Sequence, residues 1–64
     1  MKEIRVFKNS KSVKLINDIV KTESLVVKVS YKTDALGDDV IVIEGETEEV
    51  NVLESIYKMV YMVY

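Results

Sequence analysis

Hydrophobic residues along the chain fall into separate blocks, and the spacing within each block predicts an element. In residues 3–8, Ile4 and Val6 alternate with Glu3, Arg5 and Phe7, the period-two pattern of a half-buried strand. Asn9, Ser10 and Ser12 then supply helix-capping side chains. Val13, Ile16 and Val20 recur with Leu15 and Ile19 at helical spacing, which predicts a helix over about 12–21. Leu25, Val27, Val29 and Tyr31 alternate with Lys28, Ser30 and Lys32, so a second strand has one apolar and one basic face, with Val26 as the exception. Gly37 amid Asp34, Asp38 and Asp39 has the composition of a turn and leads directly into Val40, Ile41, Val42 and Ile43. A strand that is apolar on both sides is expected at the centre of its sheet or under a second layer.

Gly45 closes that strand, Thr47 is the expected cap of a second helix, and Glu48 and Glu49 suit the positive end of its dipole. Leu53, Ile56, Val60 and Val63 form one stripe that can pack on the sheet. Beyond Lys58 the helix is apolar all round. Met59, Tyr61, Met62 and Tyr64 exceed what one sheet face covers, so a partner or a second copy is expected to enclose them. The alternative is a frayed end or a short terminal strand, since Val and Tyr favour strands. The predicted fold is α+β in the order β-α-β-β-α, a three-stranded, mainly antiparallel sheet with two helices on one face, in a single domain over residues 1–64.

Composition narrows the function. Histidine, cysteine and tryptophan are absent, which removes the commonest general base, the thiol nucleophile and the imidazole and thiolate metal ligands. No enzymatic activity, catalytic residue, cofactor, metal or small-molecule substrate is therefore expected, and the core must hold by hydrophobic burial alone. Asp34, Asp38 and Asp39 lack the spacing of a calcium loop and read as a solvated turn. Residues 1–12 are charged without an apolar leader segment, and no apolar run approaches the length of a membrane span, so a cytoplasmic, membrane-free protein is expected.

Charge is unevenly divided. Residues 1–32 carry eight basic side chains against three acidic ones, a net of +5, whereas residues 33–64 carry one basic against eight acidic, a net of −7. Two readings follow: a basic binding face, or halves that attract each other across the fold. Lys8, Asn9, Ser10, Lys11, Ser12 and Lys14 gather at the start of the first helix, where free backbone N–H groups and the dipole favour an anion such as an RNA phosphate. Ordinary caps and surface lysines would give the same pattern. Lys28 and Lys32 of the second strand extend this patch if strands one and two are neighbours, and Arg5 joins it. Phe7 is the one aromatic candidate for base stacking, so backbone contact rather than sequence readout is expected.

The stretch Val40-Ile41-Val42-Ile43-Glu44-Gly45-Glu46-Thr47-Glu48-Glu49-Val50, followed by Ile56, resembles the closing half of KH-like domains, without their Gly-x-x-Gly clamp. Val6-Phe7-Lys8-Asn9-Ser10-Lys11-Ser12-Val13-Lys14-Leu15-Ile16 is similar to the KH-like region of PhoH-type proteins. Element order, length and the hydrophobic ending over residues 53–64 also resemble the small subunit of the KEOPS complex, which makes the threonylcarbamoyl modification of tRNA. Glu54 and Lys58 stand near where that family tends to carry arginines. The KEOPS resemblance implies a non-catalytic homodimer that assembles with a catalytic subunit and touches tRNA backbone. Leu53, Tyr57, Met59, Tyr61, Met62 and Tyr64 would be protein contacts, and the basic residues above would meet phosphates. A free-standing KH-like RNA-binding module and a structural oligomer without nucleic acid are the alternatives.

Overall fold

The computed structural model describes residues 1–63, with side chains through Tyr61. The Met62 side chain and Tyr64, both expected partner contacts, lie outside the described residues.

Five elements follow in the expected order: β1 (Lys2–Phe7), α1 (Ser10–Thr22), β2 (Val27–Thr33), β3 (Asp39–Gly45) and α2 (Thr47–Val63). The sheet order is β1-β3-β2 with both pairings antiparallel, which makes the doubly apolar strand β3 the central one. β1 and β2 are therefore not neighbours, contrary to the condition under which their basic residues would merge into one patch. Antiparallel β2 and β3 need only a short turn. Gly37 supplies its positive φ of 85°, while the Asp34 carboxylate accepts the Leu36 and Asp38 N–H groups at 2.9 Å each.

Register decides which side chains meet. Ile43 lies between Ile4 and Val29, and Ile41 between Val6 and Tyr31, all on the face that the helices cover. Ile16 and Ile19 of α1 and Leu53 of α2 close onto Ile41 and Ile43 to form the core, so both helices sit on one face. On the other face the rows are Phe7–Val40–Lys32, Arg5–Val42–Ser30 and Glu3–Glu44–Lys28. Val40 and Val42 are buried even there, with flanking strands on either side.

Both ends of α1 are sealed locally. Asn9 caps the N-terminus with its side-chain oxygen on the Ser12 N–H at 2.9 Å, and the Ser12 hydroxyl accepts the Asn9 N–H at 2.8 Å and donates to the Phe7 carbonyl at 2.8 Å. At the C-terminus Ser24 takes a left-handed φ of 53°, and Leu25 N–H returns to the Val20 carbonyl at 3.0 Å, so Leu25 turns back towards the core. α2 starts one residue before the expected cap: its first bond runs from Val50 N–H to the Glu46 carbonyl.

Candidate functional site

Three segments distant in sequence converge at one end of the sheet. β1 ends at Phe7 and hands over to Lys8 and the start of α1, while Tyr31, Lys32 and Thr33 finish β2 beside the first residue of β3, Asp39. The result is two adjoining open depressions. One, of about 640 Å³, is lined by Lys8, Asn9, Ser10 and Lys14, with Asp18 and Asp39 on its rim. The other is lined by Lys8, Tyr31, Lys32 and Thr33, again with Asp39. Lys8 is shared, and its ammonium lies 5.0 Å from the centre of the Tyr31 ring. Among the described residues, Lys8, Lys14 and Lys32 form no ion pair with a carboxylate.

Of the expected phosphate contacts, the structure thus brings together Lys8, Asn9, Ser10, Lys14 and Lys32. The remaining four lie elsewhere. Ser12 is fully buried with its hydroxyl committed to the cap, so it has no surface to offer a phosphate, and that expectation is corrected. Lys11 points across to α2, 4.7 Å from the centre of the Tyr61 ring. Lys28 sits four residues, about 13 Å, along β2 from Lys32 and pairs with Glu44 at 3.7 Å. Arg5 lies across β3 from β2 and pairs with Glu3 at 3.3 Å.

Some of the charge asymmetry is spent inside the fold. Lys2 reaches Asn51 at 2.6 Å and Glu54 at 3.1 Å, and the Lys28–Glu44 pair likewise joins the basic half to the acidic half. Attraction between halves therefore accounts for Lys2 and Lys28, and the basic end accounts for Lys8, Lys14 and Lys32. The turn acids do not form a metal site: among the described residues no three acidic side chains gather closely enough to hold an ion. No helix among them is long and apolar enough to cross a membrane.

The expected protein contacts of α2 divide three ways. Leu53 is completely buried in the core and has nothing to present to a partner, which corrects that assignment. Met59 is 68% exposed and faces outward, as does Val52 seven residues earlier on the same stripe. Tyr57 and Tyr61 are half-buried and stack with ring centres 5.0 Å apart, and the Tyr61 hydroxyl accepts from the Asn9 amide at 3.1 Å. Sequence periodicity missed this coupling of the two helix ends, because a helical wheel shows an apolar arc without showing which loop closes over it.

Tyr57 and Tyr61 also wall an apolar groove of about 330 Å³ between α2 and the free edge of β1. Burial, and secondarily the neighbouring Tyr61, push the Tyr57 phenol above its ordinary value of 10. A raised phenol in the folded state leaves stability intact below pH 10, with loss as pH rises towards the folded value. Denaturant titrations should show stability falling above pH 10, with a shallower fall for Tyr57→Phe; equal alkaline slopes would count against a buried phenol.

Fold and surface together define a small α+β domain with a basic end, one sheet face bare of helices and an open strand edge beside an apolar groove. No family model, curated protein or solved structure matches the chain.

Proposed function

We propose that this protein is a non-catalytic, dimerising scaffold subunit that contacts RNA backbone, in the manner implied by its resemblance to the small subunit of the KEOPS complex. The catalytic subunit of a tRNA-modifying assembly is its partner, and the chemistry belongs to that partner, since this chain carries neither histidine nor cysteine. The observation that supports the reading is the convergence of Lys8, Lys14 and Lys32 from three separate segments, without carboxylate partners, around depressions open enough for a phosphate chain. Tyr31 beneath Lys8 holds one of these cations in place by its ring face. The site offers charge without a set of base-reading groups, which suits backbone contact to a structured RNA.

Phosphate contacts release counterions, so binding of the isolated protein to tRNA should weaken steeply with salt and vary little with sequence. Replacing two contacting lysines, Lys8→Glu with Lys32→Glu, should weaken binding at least about tenfold and reduce the log–log salt slope by about two. Lys21→Glu, at the far end of α1, is the control and should change little. An equal loss from Lys21→Glu, or an unchanged slope in the double variant, would point to diffuse charge attraction in place of this site.

A further inference from the structure

We infer that the dimer forms by antiparallel pairing of β1 with β1 of a second copy about a two-fold axis through Ile4, joining two three-stranded sheets into one of six strands. This rests on the dimeric reading above and specifies its surface.

β1 is an edge strand with a single neighbour, and its pairing with β3 runs without interruption from Lys2 to Phe7. It has no proline and no bulge, two of the devices that normally protect an edge from another chain. Its row of backbone groups facing away from β3 is thus regular and open.

The side chains say which chain fits. Antiparallel pairing about Ile4 sets each residue opposite the one whose number completes a sum of eight, and keeps both on the same sheet face. On the face bare of helices, Glu3 then meets the second copy's Arg5, and Arg5 its Glu3. Met1 meets Phe7 and Phe7 meets Met1. These four side chains are otherwise poorly housed: Met1 is 86% and Phe7 68% exposed, and the Glu3–Arg5 pair lies in solvent. The order Met-Glu-Ile-Arg-Phe, skipping Lys2 and Val6, is therefore its own complement when reversed.

Other registers fail. Centring on Arg5 or on Glu3 places two like charges face to face. Pairing β2 with itself brings Lys28, Ser30 and Lys32 only against one another or against apolar side chains within the strand, with no opposite charges. The groove beside β1 is consistent with this choice, because Glu54 and Lys58 of α2 lie along it in a 3.9 Å pair and repeat the same acid-then-base order. A two-fold axis there makes the contact isologous, so the assembly closes at two chains.

Charge reversal tests the register. The parent should sediment as a dimer. Glu3→Arg alone and Arg5→Glu alone should each raise the dimer dissociation constant at least about tenfold, because both reciprocal pairs become repulsive. Mixing the two single variants in equal amounts should restore a dimer of one chain of each kind, and Glu3→Arg combined with Arg5→Glu should dimerise by itself. Circular dichroism of every variant verifies that loss of mass is not loss of fold. A parent dimer indifferent to both single reversals overturns the register and leaves the dimeric function standing. A parent that is monomeric at all concentrations overturns both, while RNA binding through Lys8 and Lys32 is judged separately.

Discussion

Leu53→Ala is expected to leave most of the chain unfolded at room temperature. Leu53 is completely buried where α2 meets Ile41 and Ile43 of the central strand and Ile16 and Ile19 of α1. Truncating a leucine in such a position costs about 2–5 kcal/mol, from lost burial plus the cavity left behind. A chain of 64 residues has roughly 3–10 kcal/mol in total, with no disulfide to limit the unfolded state. Urea unfolding followed by circular dichroism measures the difference; Val52→Ala, on the exposed side of the same helix, should cost well under about 1 kcal/mol. A Leu53→Ala protein as stable as the parent would mean that α2 does not hold the sheet.

Ser12→Val should be the next most damaging change, at about 2–4 kcal/mol, although serine is an ordinary surface residue in most helices. Here the hydroxyl is fully buried, accepts the Asn9 N–H and donates to the Phe7 carbonyl. Valine strands both groups away from water and adds bulk to a filled site. Because the same cap fixes Lys8, Asn9 and Ser10, tRNA affinity should fall with it even where the protein remains folded. Ser10→Val, two residues earlier and exposed, should leave stability nearly unchanged.

These two residues also mark where the sequence was informative and where it was not. The period-two runs and the apolar stripes in the helices are local properties, and they were legible because each records which side of one element faces the core. Even the central place of β3 was readable, since Val40 and Val42 are apolar on a face that no helix covers and only flanking strands can shelter them. Sheet order beyond that was not readable. Nothing in the alternation of β1 or β2 records that β3 lies between them, so Arg5 and Lys28 were grouped with lysines from which the fold separates them. Ser12 was similarly ambiguous, because a capping serine can point its hydroxyl into water or into the protein, and the choice depends on the path of the chain from Phe7. Leu53 belongs to a stripe that could be read as core or contact, and only the position of α2 over Ile41 and Ile43 decides it.

The distribution of surface chemistry gives the two ends of β1 different roles. Its last residue leads into the basic end formed by Lys8, Lys14 and Lys32, whereas its free edge carries the reversible Glu3–Arg5 pattern beside the groove of Tyr57 and Tyr61. Pairing two copies along that edge would place a basic end at each end of a joined sheet, an arrangement suited to bridging along an extended polyanion.

The most direct measurement is a titration of isotope-labelled protein with tRNA, following the backbone amide resonances at low salt. The expected result is that amides of residues 8–10, 14 and 31–33 shift progressively and return as salt is added, while those of residues 3–6 hold still. Shifts confined to the β1 edge, or the absence of any shift, would contradict the assignment of the basic end as the RNA-facing surface.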